Sequence, residues 1–591
     1  MLALVSKHPS RPAPWLFPLL VGLVLSIPTL TVGLTFDDLI HRLSLEGQLE
    51  VLPASWFTLY DFTGRGLTPR QLADLGAVPW FVQADLSLRF FRPLSSLTLA
   101  LDHAAFGRWS LPAHLHSLVW LAVLLGFVSS LYGRLLRPPT ARLAGILYAV
   151  AGVHAIPSAW LASRHTLVAA TFSVIALWAW SRFREDAWRP GAALAGSALA
   201  LSLLSSEAWL AGVVFLVFYE WGRDADWRAR LLGSSAFLGA GALYVAVYAG
   251  AGYGIRGSGM YVSPLSAPGE YLRVALTRMP LAFAELFGGL PSMLGGVAPV
   301  VVPVLAGSGV ALLLLLVGVL FALRRRLDAD ERRALAWLGA AATVSPFVLI
   351  GTAVTGRVLP VPLIGAAALT ARALTLSWQA LREDATRRRW LLAPVVLLLG
   401  ALHLGVSPLV RVGLPLVFAE AGRELRRVAR TADVGSCADG GRIYLLTAAD
   451  PALSLFLGPA VKFYTPEKAH AERLRILTVV VHDLELTRVG ERAFELEVLG
   501  QPRRTHDFEQ LYRARSAPLE PGQTFTAEEL SVRILDASNG LYTRARFELQ
   551  ASLDAPSVCF VAWHDHRVQP IKMPAVGQRI VVPREEGPTR Q

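Results

Sequence analysis

The sequence predicts an α-helical polytopic membrane protein of about eleven spans, followed by a C-terminal β-rich soluble domain. Three observations lead there. The 591-residue chain is 53% hydrophobic and only 17% charged, with a mean hydropathy of +0.46; soluble globular chains are less apolar and carry more charge. The apolarity is uneven, with long runs that continue to about Leu409 and then stop. The net charge of +12 comes from arginines gathered in short loops between those runs. That is the pattern of membrane orientation, and no nucleic-acid module lies among them. The spans exclude a soluble enzyme, and no nucleic-acid partner is expected.

The first run, Pro14 to Leu34, is long enough to cross a bilayer. It is longer than the apolar core of a signal peptide, Lys7 and Arg11 flank it, and no small-x-small cleavage site follows. It therefore reads as an uncleaved helix with a cytoplasmic N-terminus. Further spans are predicted near 113–134, 141–161, 165–181, 191–204, 207–222, 230–250, 298–323, 334–355, 358–378 and 390–409. Alternate loops carry Arg134, Arg137 and Arg142; Arg182, Arg184 and Arg189; Arg223, Arg228 and Arg230; Arg324-Arg325-Arg326; and Arg387-Arg388-Arg389. One orientation places all of these in the cytoplasm. An odd number of spans then puts the C-terminal domain outside it, in a multi-pass plasma (inner) membrane protein. The span 191–204 is short and must tilt, thin the bilayer or belong to a broken helix. The expected division is a transmembrane domain, 1–409, with external loops 36–112 and 251–297, and a β-rich domain, 410–591.

The outer side collects the unusual residues. Asp37 and Asp38 follow the first span directly, and adjacent carboxylates beside a membrane are costly unless they meet solvent, a cation or a substrate. Arg92 lies in the first loop, His114 and His116 open the second span, and His154 sits near the outer end of the third. Arg164-His165 form the next outer turn, Glu207 separates two apolar runs, and Arg357 lies between two late spans. This set suits a site that binds an anionic headgroup and removes a proton: arginine offers a planar fork to phosphate, and a carboxylate near a polarised hydroxyl acts as a general base. Each residue also has a structural reading. The aspartates suit the N-terminus of a loop helix, Arg164 a tight turn, His165 a helix cap, and Glu207 an interhelical pair. No H-x-x-x-H or CxxC spacing points to a bound metal.

The second external loop contains GYGIRGSGMYVSPLSAPGEY, whose glycine and serine content suits either a mobile segment or a passive connector. The following stretch, Tyr271 to Leu290, is amphipathic and suits the membrane surface or a re-entrant path. Beyond Val410, short runs such as RIYLLT, AFELEVL, YTRARFELQ and SVCFVAW read as strands, with a helix near Phe418 to Val428. The chain's two cysteines, Cys437 and Cys559, both lie here. An oxidising outer location predicts a disulfide between them; two free buried thiols are the alternative. His564-Asp565-His566, beside Trp563, reads either as a metal or sugar site or as a solvated strand end.

Four segments carry a family resemblance: TFDDLIHRL after the first span; FRPLSSLTLALDHAAFG followed by LPAHLHSLVW; HAIPSAWLASRHTLVAATF; and LLSSEAWLAGVVFLVFYEW. GRVLPVPLIGAAAL from Gly356 is a weaker fifth. Their order and spacing resemble the GT-C class of polytopic glycosyltransferases, nearest the protein O-mannosyltransferase branch and the tetratricopeptide-tailed transmembrane O-mannosyltransferases, without the tail. The likeness spans about residues 14–380. Ser206 stands where that family has lysine, Ser117 where it has asparagine, and Val358-Leu359 lack its aromatic.

The resemblance implies a GT-C-like fold and sugar transfer outside the cytoplasm. The donor would be a polyprenyl-phosphate sugar, its tail lying between helices, and the acceptor a hydroxyl on a protein, lipid or glycan. Asp37 or Asp38 would be the base. Arg92 and Arg164, with Arg357 and His165, would hold the donor phosphate, and Glu207 and His114 would orient them. No cofactor is implied beyond the lipid-linked sugar as co-substrate, and no metal. A non-catalytic lipid-sugar binding or transport protein on the same scaffold is the alternative.

Overall fold

Among the described residues, each of the eleven apolar stretches contains a helix. The computed structural model describes residues 16–585 apart from 53, 65, 297, 299, 353–355, 384–388, 435–440, 467–473, 480–481 and 501–509. Lys7, Arg11, Arg387, Arg388 and Cys437 therefore lie outside the described residues. Five helices are long and apolar enough to cross a membrane: Ser110–Leu135, Leu161–Glu185, Trp227–Gly250, Val301–Ala322 and Trp390–Thr431. A sixth arises if Pro138–Val150 and Gly152–Ala159, bent by 44°, count as one span. Leu16–Thr31, Pro190–Leu203 and Trp209–Gly222 are apolar but shorter.

The remaining two predicted spans, helices Ala329–Val344 and Pro362–Glu383, differ for a physical reason. Helix Pro362–Glu383 is buried along most of its length, so protein rather than lipid surrounds it. Small residues then suffice for close packing. It even carries a buried charge: Arg372 donates to Glu331 at 2.8 Å, the two side chains being 3% and 4% exposed. The exposed apolar side chains instead belong to the outer helices, among them Leu232, Leu243, Leu314 and Leu397. In water such a surface would be a liability.

The last apolar helix continues across the expected boundary at residue 410. It runs from Trp390 to Thr431 as one 42-residue element, about 63 Å at the helical rise, with a π-helical stretch at Ala401–Val406. The helix expected near Phe418 to Val428 is its distal end. It leaves the bundle and carries the C-terminal domain.

That domain is β-rich, as expected, but mixed. A four-stranded sheet has the order Arg567–Pro570, Val558–His564, Arg442–Leu445, Leu474–Ile476. The pairings of Arg442–Leu445 are parallel, and helix Pro451–Tyr464 makes the crossover that parallel strands require. A six-stranded antiparallel sheet runs Arg579–Val582, Asp483–Arg488, Ala493–Leu499, Leu541–Leu549, Leu530–Ser538, Thr524–Thr526. Alternation along Ala493–Leu499 buries Phe494, Leu496 and Val498, the period-2 pattern of a half-buried strand. Asp565 and His566 form a two-residue turn at positive φ, 49° and 58°, joining two antiparallel strands; this is the strand-end arrangement. Cys559 is disulfide-bonded.

The C-terminal domain shares one apolar core with the first external loop. Leu34, Leu39, Leu43, Trp80 and Phe81 pack in the same cluster as Leu457, Val461, Leu477, Val532 and Phe547. Trp80 enters the domain between Phe525, Tyr542 and Phe547, and its indole N–H donates to the Leu477 carbonyl at 2.9 Å. The second loop is also tied down. Gly254–Arg256 pairs antiparallel with Ser87–Arg89, and helix Pro268–Gly288 packs so closely on Val301–Ala322 that a Cβ at Gly309 would collide with the Pro280 carbonyl and the Ala284 backbone. The glycine-rich stretch thus contributes a strand, Gly254–Arg256, and the start of helix Pro268–Gly288.

Candidate functional site

The two adjacent aspartates have different environments. Both begin helix Asp37–Leu45, where acidic side chains are favoured. Asp38 is 3% exposed and fully engaged: it accepts from the Thr35 backbone N–H at 3.1 Å and from the Ala162 backbone N–H at 2.7 Å. Tyr60 donates to the Ala162 carbonyl at 2.8 Å, completing that brace. Asp38 therefore splices the first loop to the turn before Arg164. Asp37 points the other way, into a cavity of about 1570 Å³.

That cavity spans the junction of three parts. One flank is formed by Leu281, Met293, Val302 and Val417, and the other by Leu49, Leu75, Pro451 and Arg475. Phe36, Phe90, Trp160 and Tyr261 surround its middle, together with Asp37 and Arg357. It is larger than the usual pocket for one small ligand. The Arg357 guanidinium lies 5.6 Å over the Trp160 ring and donates to the Thr352 hydroxyl at 3.1 Å. Burial pushes the Asp37 carboxyl up to about 6, against the pull of Arg357 and then Arg92. Such a carboxylate is poised near neutrality. Burial holds His41 down at about 3, so it is neutral beside the arginines.

Arg92 stands behind this wall. It pairs with Glu207 at 2.7 Å and lies 4.3 Å over the Phe90 ring and 5.0 Å over Tyr60. Tyr248 donates to the other Glu207 oxygen at 3.3 Å. The carboxylate thus holds the guanidinium from behind. His165 bonds to the Ser206 hydroxyl at 2.9 Å and meets Tyr60 edge-on. Its ring does not line the cavity.

Arg164 and His114 lie elsewhere. Arg164 is fully buried, donating to Asp102 at 2.5 Å, to the Ser117 hydroxyl at 2.9 Å and to the Ala113 carbonyl at 2.5 Å. His116 bonds the other oxygen of Asp102 at 2.8 Å. All three guanidinium nitrogens are spent, and none faces the cavity. Arg164, expected to contact the donor phosphate, pairs with Asp102 and is not among the residues that line the cavity. His114 bonds the Gly33 carbonyl at 2.9 Å, holding the chain just before the acidic pair rather than any arginine.

Sequence reasoning missed Tyr261, Trp160, Phe36 and Arg278. Arg278 donates to the Ile350 carbonyl at 2.8 Å and the Met260 carbonyl at 3.1 Å, fastening the second loop beside the cavity. None carries a local signal, because aromatic residues and arginines are common at membrane edges. Among the described residues, one group could hold a metal ion, His564, Asp565 and Glu585; none of the three lines the cavity, although the neighbouring Arg584 does.

No family model and no curated protein matches the chain. Among solved structures, it is similar to ArnT from Cupriavidus metallidurans bound to undecaprenyl phosphate, at 14% identity over 79% of this chain and 90% of that one, with a TM-score of 0.41. It is also similar to an Archaeoglobus fulgidus oligosaccharyltransferase tethered to an acceptor peptide containing the NVT sequon, at 13% identity over 79% of this chain and 63% of that one, with a TM-score of 0.39. Likenesses this distant do not assign a family.

Proposed function

We propose that this chain is a membrane glycosyltransferase of the GT-C type, moving a sugar from a polyprenyl-phosphate donor to a hydroxyl acceptor on the outer side of the membrane. The observation that carries the reading is Asp37. It is a carboxylate on the wall of a large cavity, without a hydrogen-bond partner among the described residues, with Arg357 on the same wall. A structural carboxylate is spent on donors, as Asp38 is. Asp37 keeps its lone pairs for an incoming proton.

The roles follow from position. Asp37 takes the acceptor hydroxyl proton as that oxygen attacks the anomeric carbon. The phosphate leaves with the bond to that carbon, and Arg357 stabilises the charge it gains. Arg92, aimed by Glu207, adds positive potential from behind. The donor's lipid tail leaves past Met293 and Val417, which are exposed and apolar, into the bilayer. The acceptor enters between the first loop and the C-terminal domain. The motif resemblance favours a hexose such as mannose. With the arginine-rich loops in the cytoplasm and an odd number of crossings, the C-terminal domain would lie outside, in a plasma (inner) membrane.

The test is transfer by full-length protein in lipid nanodiscs, using radiolabelled polyprenyl-phosphate mannose and glucose with peptide, lipid and glycan acceptors. Wild type should transfer sugar, and Asp37→Asn should bind donor without turnover. Donor binding with no transfer by wild type across all acceptors would favour a binding or transport protein. Full turnover by Asp37→Asn would remove Asp37 as the base.

A further inference from the structure

We propose that the C-terminal domain aims the Asp37 carboxylate, through a strained turn at Phe36 that Phe456 holds in place. The inference rests on the reading of Asp37 as the base. Phe36 has φ 49° and ψ −120°, a conformation that suits glycine and that a bulky L residue avoids. Such outliers persist only where the surroundings over-determine them, and they gather at working sites. Phe36 immediately precedes Asp37, so its backbone angles set where that side chain points.

The surroundings that hold Phe36 are aromatic and come from three separate stretches of chain. Its ring lies 5.2 Å from Phe456, 6.3 Å from Phe418 and 6.3 Å from Trp160. Trp160 belongs to the third apolar segment, Phe418 to the long terminal helix, and Phe456 to helix Pro451–Tyr464 of the C-terminal domain. Phe456 makes the closest contact of the three. The same helix grips the chain just upstream, where Tyr464 donates to the Leu34 carbonyl at 3.2 Å. Downstream, Lys462 donates to the Gln48 carbonyl. The segment carrying Asp37 is thus held at both ends by one helix of a domain that follows it by some 400 residues in sequence.

This makes Phe456 a positioning residue. Removing its ring frees Phe36 to return to ordinary negative φ, and the peptide before Asp37 must then rotate. The carboxylate leaves the Arg357 wall. A glycine at 36 reverses the logic, because it holds positive φ without any aromatic clamp. A merely structural loss at Phe456 has no reason to be repaired by deleting a second ring.

The experiment uses full-length protein in nanodiscs and two readouts. The first is sugar transfer from polyprenyl-phosphate mannose. Phe456→Ala should lower kcat roughly tenfold or more, as misplacement of a catalytic group does, with little change in donor KM. Phe36→Gly/Phe456→Ala should recover most of it. The second readout needs no activity: the rate at which Asp37→Cys reacts with a methanethiosulfonate reagent. Cys559 is disulfide-bonded and does not compete. The rate should change on adding Phe456→Ala and return on adding Phe36→Gly. Phe418→Leu, a milder change to the same clamp, should show a smaller version of both effects. Unchanged kcat and labelling in Phe456→Ala and Phe418→Leu would overturn the proposal, as would a loss that Phe36→Gly leaves unrepaired. If labelling follows the expected pattern but no variant, wild type included, transfers sugar, the positioning stands and the transferase reading fails.

Discussion

Two acid–arginine clusters flank the acidic pair, and their contrast separates chemistry from architecture. Around Asp102, every valence is filled: Arg164 gives three donors to three acceptors, and His116 takes the remaining carboxylate oxygen. Around Asp37, little is filled. The carboxylate faces a cavity, and Arg357 meets a hydroxyl and an indole face rather than a carboxylate. By residue type the clusters are alike. Satisfied groups build a fold, whereas a reaction needs groups with capacity left over.

The contrast breaks most sharply at the two carboxylates. Asp37→Asn should lower turnover by about 10²–10⁴-fold, the usual worth of a general base, while the thermal melting temperature stays within a degree or two. Melting and transfer assays on the same nanodisc preparation check both halves. A stability loss matching that of a buried-pair mutant would make Asp37 structural.

Next is the closed cluster. Arg164→Met leaves Asp102 buried with one partner fewer and should cost about 3–5 kcal/mol of stability, as removing one side of a buried pair does. Denaturation followed by tryptophan fluorescence reads it. Arg357→Met should leave stability nearly unchanged and lower turnover at least tenfold. If Arg164→Met and Arg357→Met gave the same profile, the distinction between the clusters would collapse.

A smaller effect concerns pH. Asp37 must be ionised to act as base, so kcat/KM should rise with pH and level off above about 6. Arg357 pulls that pKa down, so Arg357→Gln should move the rising limb to higher pH. A limb that stayed in place would mean that another group titrates. The linkage sign is the reverse for folding. Burial raises Asp37 in the folded state, so its contribution to stability is present below the unfolded carboxyl range and lost as pH rises through about 6.

The smallest expected effect is at Asp38. Asp38→Ala strands the Thr35 and Ala162 N–H groups and should cost about 1–3 kcal/mol. The surviving folded fraction should keep measurable transfer in initial-rate assays, unlike Asp37→Asn.

Much of the architecture was legible in the chain because hydrophobic runs and arginine-rich loops obey local rules. Among the described residues each of the eleven apolar stretches contains a helix, and the runs RIYLLT, AFELEVL, YTRARFELQ and SVCFVAW contain strands, whereas ILTVVV contributes only Ile476 to one. Period and composition carry that information residue by residue. Span status was less legible: Pro362–Glu383 reads as a span, yet its alanine-rich surface is packed inside the bundle. Whether an apolar helix faces lipid or protein depends on its neighbours, which are distant in sequence. The same holds for the second external loop, whose Gly254–Arg256 found a partner strand at Ser87–Arg89.

By itself, the sequence determined the class of molecule, the helical segments and the short roster of ionisable residues at one end of them. It singled out Asp37, Arg92, Glu207 and Arg357 by type and place. Tertiary structure alone decided which of these are spent and which are free. Asp37 and Asp38 are neighbours with the same chemistry, separated only by the helical turn that sends one to the Ala162 amide and the other to the cavity. It also decided that a domain reached only after some 400 further residues clamps Phe36. The reason is physical: hydrogen-bond satisfaction and ring packing are properties of pairs brought together by folding, and a linear sequence names the members without saying which will meet.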